Sequence, residues 1–291
     1  MIISASRRTD IPAFYSEWFM RRLREGWVYV PNPMNSHQVR NVSLDPEVVD
    51  CIVFWTKNPQ NMLKYLREIS EMGYLYYFQF TLTPYDASLE THLPSKTDLV
   101  DVFKELADTI GPERVIWRYD PILLTDQISL SYHADQFEKL SRKLAGYTEQ
   151  CIMSFVDLYA KTKRNTKGLN LRSLTDKEIY ELGSILVQTG RTYDITLSTC
   201  AEPLDLTKIG IARGRCIDHE LMSRLLGVPL KVKKDRNQRK ECGCAESVDI
   251  GMYNTCAHGC LYCYANTNPS IGRKNLAQHN PNSPFLLEKQ G

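Results

Sequence analysis

The chain has 291 residues, 43% hydrophobic and 24% charged, a globular balance with ample length for a real core in one large α/β domain or two smaller ones. A formal net charge of +2 is close to neutral, so bulk charge points to neither nucleic acid nor a membrane surface. Arg7, Arg8 and Asp10 come too early for a secretion signal, and no apolar run is long enough to span a bilayer. The expectation is a cytoplasmic protein with no membrane partner.

Short β-branched or aromatic runs alternate with helical patterns along the chain. The predicted strands are "IISAS" (2–6), "CIVFW" (51–55), "LYYFQFTLT" (75–83), "RVIWRY" (114–119), "CIMSFVDLY" (151–159) and "DITLST" (194–199). Several are apolar throughout, as strands buried on both faces of a parallel sheet are. Between them, Asn58-Pro59 predicts a helix start and Gly73 its stop. Leu99, Val102, Phe103, Leu106 and Ile110 form a stripe at helical spacing that Gly111-Pro112 ends. Thr175 and Glu178 have the spacing of a capping box ahead of Ile179, Leu182 and Leu186. Six such βα steps predict a parallel (β/α) barrel, complete or partial. A doubly wound sheet is the alternative, although no nucleotide-type glycine fingerprint follows the first strand. The expected organisation is an α/β body over 1–229, a charged linker over 230–246, and a cysteine-bearing segment over 247–291 that completes the barrel.

Parallel α/β sheets place their chemistry beyond the C-terminal strand ends. Those positions are polar here: Ser6, Arg7, Arg8, Thr9 and Asp10 after the first strand, then Thr56, Lys57 and Asn58 after the second. Gln79, Thr81 and Thr83 follow at period two, then Arg118, Tyr119 and Asp120, then Ser154, Asp157 and Lys161, then Ser198, Cys200 and Glu202. Any one of them is ordinarily a cap or a structural ion pair. Agreement across six strands predicts a polar pocket for a ligand bearing carboxylate, hydroxyl or phosphate groups, because buried charge without a partner is costly. Arg118, Asp120, Arg7 and Glu202 are the candidate substrate-handling, catalytic residues.

Nine cysteines in a chain without an export signal favour metal binding over disulfides. Three lie within eight residues: Cys256, Cys260 and Cys263, spaced C-x3-C-x2-C in "YNTCAHGCLYCYAN". A structural zinc site completed by Cys242, Cys244 or His258 fits those spacings. A ferredoxin-type pattern is absent. A [4Fe–4S] cluster on three thiolates, with one iron left open, fits as well. Cys51, Cys151 and Cys200 read as small core residues at strands, whereas Cys242 and Cys244 in "ECGC" are open to a second metal, a hydrogen-atom donor or a redox pair.

The run Cys256-Ala-His-Gly-Cys260-Leu-Tyr262-Cys263, with its aromatic before the last cysteine, resembles the signature of radical SAM (S-adenosylmethionine) enzymes. The resemblance implies a [4Fe–4S] cluster whose open iron chelates S-adenosyl-L-methionine and whose electron cleaves it to a 5′-deoxyadenosyl radical. It also implies a cytosolic electron donor of the flavodoxin or ferredoxin type. That family carries its motif after the first barrel strand. Here "SVDIGMY" (247–253) precedes the cysteines, so the resemblance implies a circularly permuted radical SAM barrel in which this strand neighbours "IISAS". "CLYCYAN" and "SASRRTDI" are similar to parts of spore photoproduct lyases, which implies that Tyr262, Ser6, Thr9 and Asp10 surround the cofactor. This sequence lacks the lyases' strand cysteine and the usual Gly-Gly-Glu. The substrate, small molecule or nucleic acid, is left open. Through "SRRTDIPAFY", "FWTKNP" and "RYDPI" the chain resembles a bacterial family catalogued as a domain of unknown function with a C-terminal cysteine cluster.

Overall fold

The computed structural model describes residues 1–35 and 37–288. The chain starts with strand β1 (Ile2–Ala5), helices α1 (Ile11–Phe14) and α2 (Ser16–Glu25), and an antiparallel hairpin of β2 (Trp27–Pro31) and β3 (Val39–Ser43). Next come β4 (Cys51–Thr56), α3 (Gln60–Leu63), α4 (Leu66–Glu71), β5 (Tyr76–Thr81), α5 (Lys96–Ile110), β6 (Val115–Ile122) and α6 (Leu130–Leu144). The remainder holds β7 (Gln150–Phe155), α7 (Ala160–Asn165), α8 (Asp176–Thr192), β8 (Thr196–Thr199), β9 (Ala212–Arg213), α9 (His219–Leu226), β10 (Val248–Asp249) and α10 (Ile271–Leu276).

Local chemistry explains the boundaries. Ser95 and Ser129 cap α5 and α6, each accepting a backbone N–H from the first turn. The capping box at α8 is present in both directions between Thr175 and Glu178. Gly26 closes α2 at φ 77°, a left-handed position that side chains resist. The helix expected after Asn58-Pro59 is instead broken into two pieces, with Pro59 at the cap rather than the first helical position.

Eight strands form one parallel sheet in the order β10-β1-β4-β5-β6-β7-β8-β9. All six strands expected before residue 200 are in it, and β10 pairs with β1 through Ile3↔Val248 and Ser4↔Asp249. A complete barrel is not formed: among the described residues the edge strands β9 and β10 do not pair with each other. Each is only two residues long, too short for a closing ladder. The run expected as strand 247–253 leaves the sheet at Ile250, whose N–H still reaches the Ser4 carbonyl at 3.1 Å.

Period two divides the sheet into two faces. Ile3, Phe54, Phe78, Trp117 and Met153 point to the helices and join Trp18, Phe103, Phe137 and Leu182 in the main core. Ile2, Cys51, Val53, Tyr77, Ile116 and Ile152 point to the other face, where Ile217, Leu221, Met222 and Cys244 cover them. The stretch expected as linker thus supplies part of a second core, while its lysines stay exposed. Among the described residues no helix is long and apolar enough to cross a membrane.

Candidate functional site

Asp249 joins the first and last strands of the sheet. Its carboxylate accepts from Ser4 Oγ at 3.0 Å, Ser6 Oγ at 2.6 Å and the Arg7 backbone N–H at 2.8 Å, with Arg8 Nε at 3.8 Å. Gly251 follows, where an added Cβ would lie 2.1 Å from Ser6 Oγ. Only a glycine lets the chain pass this close to the β1 turn.

The loop carrying Cys256, Cys260 and Cys263 is held from every side. Asn254, in a left-handed conformation at φ 65°, donates its N–H to Ala265 O and accepts from Thr267 N–H, closing the loop at its base. Tyr15 Oη donates to Thr255 O, and Asn266 Nδ2 donates to Cys256 O at 2.7 Å. Helix α10 lies so close that a Cβ on Gly272 would fall 1.7 Å from Cys256 O. His258 Nε2 meets Asp10 Oδ2 at 2.7 Å, and the same carboxylate caps α1 and accepts the Lys57 N–H.

Glu90 is the loop's buried anchor, and the sequence reading missed it. Its Oε1 accepts from Lys57 Nζ at 2.7 Å, Thr83 Oγ1 at 2.6 Å and the Tyr262 hydroxyl; Oε2 accepts from Lys96 Nζ. Burial alone would raise its pKa, but the charges of Lys57 and Lys96 outweigh that and hold it down at about 2. No periodicity or motif marks Glu90, which lies in an irregular turn. Four donors from separate segments define it.

Burial raises all three loop thiols. For Cys256 the negative charges of Cys263, Asp10 and Cys260 add to the rise. Cys263 is relieved in part by the Ala265 N–H, which donates to its Sγ at 3.3 Å, and by Lys57 and Lys161. Around the loop, Thr9 Oγ1, Arg7 Nη2, His258 Nδ1 and Asn266 Oδ1 are buried polar atoms without a hydrogen-bond partner. Three thiols, N–H···S donation, nearby lysines and unpartnered polar atoms fit a metal group of thiolate type. Among the described residues, no group of three His, Cys, Asp or Glu side chains is already set to hold a metal ion.

The second polar centre lies on the inner face of the sheet, where the period of two places Arg118, Asp120, Gln79 and Ser154. Arg118 Nε donates to Asp120 Oδ2 at 3.0 Å, its Nη2 joins the same oxygen, and its Nη1 donates to Cys216 Sγ at 2.8 Å. Ser154 Oγ donates to Asp120 Oδ1. Trp55 has two cations over its ring, Arg7 and Arg118, at 5.5 and 5.2 Å from its centroid. Glu202 Oε1 accepts the Phe155 N–H at 2.9 Å, and burial raises its pKa to about 7, with Asp157 and Asp120 adding.

The strand-end residues therefore divide into two groups. Ser6, Asp10 and Tyr262 are tied to the partners that fix the cysteine loop, and Thr9 stands unpaired beside them. Arg7, Arg118 and Asp120 form a patch around Trp55, and Glu202, from the turn after β8, reaches the end of β7 with its carboxylate. Cys51 and Cys151 are core residues as expected. Cys200 is half-buried against the inner-face core, and its Sγ also contacts Cys216 Sγ at 3.0 Å.

No curated protein and no solved structure matches this chain. One family model does, over residues 2–265, a span that takes in the sheet, the inner-face patch and all three loop cysteines. The chain belongs to the family described as Domain of unknown function (DUF1848).

Proposed function

We propose that this protein is a radical SAM-type enzyme built on a circularly permuted, open barrel, with Cys256, Cys260 and Cys263 as the three thiolate ligands of a [4Fe–4S] cluster. The observation that carries the reading is the neighbourhood of the loop. The C-x3-C-x-Φ-C run follows β10, β10 lies parallel beside β1, and the strands then continue in sequence to β9. Read from β10, the sheet has the strand order of a barrel that begins at the cysteine loop, which supports the permutation.

When bound, the cluster would supply the electron that cleaves S-adenosyl-L-methionine to methionine and a 5′-deoxyadenosyl radical. The protein's own residues orient and shield. Glu90 and Asp10 hold Tyr262 and His258, so the loop is buttressed by carboxylates that are themselves saturated with donors. Asp249 fixes Ser6 and the Arg7 backbone beside the loop. Arg7 and Arg118, stacked on Trp55, offer positive charge to an acidic substrate group. Glu202, with its pKa near neutrality, can hold or release a proton at its carboxyl oxygen.

The test is anaerobic purification, reconstitution with iron and sulfide, reduction, and addition of S-adenosylmethionine. Formation of 5′-deoxyadenosine is expected, and its loss together with the brown colour in Cys260→Ala. A cysteine variant that keeps cleaving the cofactor defeats the assignment. One observation favours a second reading, a structural zinc on three thiolates and an imidazole. His258 donates through Nε2 to Asp10 and leaves a buried Nδ1 unpartnered, the arrangement of a carboxylate-oriented metal histidine. Colourless protein with one zinc per loop, lost in His258→Ala, would establish it instead.

A further inference from the structure

Four cysteines outside the loop meet on the inner face of the sheet. They come from three places in the chain: Cys200 from the end of β8, Cys216 from the turn after β9, and Cys242 with Cys244 from the irregular 230–246 stretch. Cys200 Sγ lies 3.0 Å from Cys216 Sγ, too far for the ~2.05 Å bond of a disulfide. Cys244 Sγ lies beside this pair, against the Cys216 backbone, and Cys242 is buried two residues before it in the same inner-face core. Three of the four are buried and Cys200 is half-buried.

Donors face two of these sulfurs. The backbone N–H groups of Cys216 and Ile217 donate to Cys244 Sγ at 3.3 and 3.4 Å, and Arg118 Nη1 donates to Cys216 Sγ at 2.8 Å. Burial would lower the Arg7 pKa, but negative charge at Cys244 and Cys216 outweighs it and leaves it raised. The scaffold is fixed from the sheet: Tyr77 Oη and Gln79 Nε2 both donate to Cys216 O, at 2.7 and 3.0 Å, and Tyr77 Oη accepts the Asp218 N–H. Ala245 N–H donates to Ile217 O at 3.0 Å, pinning the two cysteine-bearing segments together. A Cβ on Gly243, between the two closest cysteines, would meet Arg215 Cγ at 3.0 Å.

From this convergence we propose that Cys200, Cys216, Cys242 and Cys244 are the four thiolate ligands of a second metal centre, a single tetrahedral ion of the zinc type. A metal–sulfur distance of about 2.3 Å places the sulfurs of a tetrahedral site about 3.8 Å apart. The Cys200 and Cys216 sulfurs, now 3.0 Å apart, need only small rotations to reach that spacing, whereas a four-iron cube would force its ligand sulfurs much further apart. Among the described residues the side chains as they stand are not yet set around one point. Binding exchanges the remaining thiol protons for the ion, and these protons leave to solvent. A divalent ion on four thiolates carries two net negative charges, and Arg118 and Arg7 are the cations that face it. The centre ties the 200–246 segment to the sheet and is independent of the proposed cluster.

The experiment uses the full chain with Cys256, Cys260 and Cys263 replaced by serine, so that the loop contributes no thiolate. We expect one zinc or cobalt ion per chain, four sulfur ligands at about 2.3 Å by X-ray absorption, and the cobalt spectrum of a tetrahedral thiolate site. Adding Cys242→Ser and Cys244→Ser should abolish binding, and Cys242→His, which keeps a zinc donor, should restore it. Should the serine variants fail to fold, alkylation of the loop-variant chain decides. Cys200, Cys216, Cys242 and Cys244 are expected to react only after chelation. A loop-variant chain that binds no ion, binds through oxygen or nitrogen alone, or takes up an iron–sulfur cluster at these four residues overturns the proposal. None of these results depends on whether the loop cleaves S-adenosylmethionine.

Discussion

The two cysteine regions of this molecule are built on opposite plans. The loop of 256–263 takes its three thiols from eight consecutive residues, and the fold has only to clamp it, which it does largely through the carboxylates of Asp10 and Glu90. The inner-face quartet takes its thiols from residues up to 44 apart and surrounds them with cations and backbone N–H groups. The charges act accordingly. Burial raises all three loop thiols, whereas the quartet is split, with Cys200 and Cys244 lowered and Cys216 and Cys242 raised. A local ligand set can form before the rest of the chain is folded. A dispersed one exists only once the sheet and its covering segment have met, so its integrity reports on the tertiary structure.

That contrast can be broken at its supports. The largest expected effect is at Glu90. Glu90→Gln leaves Lys57 and Lys96 partly buried without their carboxylate, which should lower stability by about 3–5 kcal/mol in urea unfolding. Iron binding at the loop should fall with it, while metal uptake by the quartet survives in the fraction that folds. Next comes Gly272→Ala, whose Cβ would strike the Cys256 carbonyl; overpacking of this kind costs about 1–3 kcal/mol. Its signature is a weaker loop site with the quartet's ion stoichiometry unchanged. Equal damage to both sites would mean that the two regions are one cooperative unit.

A third measurement concerns pH. His133 lies beneath the strand that carries Arg118 and Asp120, with Tyr119 Oη at 2.9 Å from Nδ1 and Leu123 O at 2.8 Å from Nε2. Burial lowers its pKa to about 4, below the usual value of 6.5. The folded protein binds this proton less readily than the unfolded chain. The contribution is therefore fully present above pH 6.5 and lost as pH falls towards 4, at up to about 1.4 kcal/mol per unit. His133→Gln should flatten that part of the urea-midpoint profile. The smallest effect is expected at the α8 cap, where Thr175→Ala should cost about 1 kcal/mol and leave metal binding at both regions intact.

Much of the sheet was legible because its strands are apolar runs separated by strong caps, and "CIVFW" and "RVIWRY" have few other ways to bury themselves. The hairpin at Trp27–Ser43 was not anticipated; its exposed second strand lacks a clear apolar alternation. Glu90 and Asp249 were missed for a different reason. A single acidic residue in a turn or at a strand edge has no pattern, and its importance lies in donors that arrive from distant segments.

The sequence by itself determined the six main strands of the sheet, several of the helices between them, and that three thiols sit within one short loop. These are properties of neighbouring side chains, and neighbours are fixed by covalent order. Only the tertiary structure decided that the sheet stays open, that the 200–246 segment covers its inner face, and that Cys200 and Cys216 come together there. Each of those outcomes depends on which faces bury each other across the fold. The two-residue edge strands offered too few hydrogen bonds to close the ring, and the 200–246 segment settled on the exposed inner face in place of a closing strand.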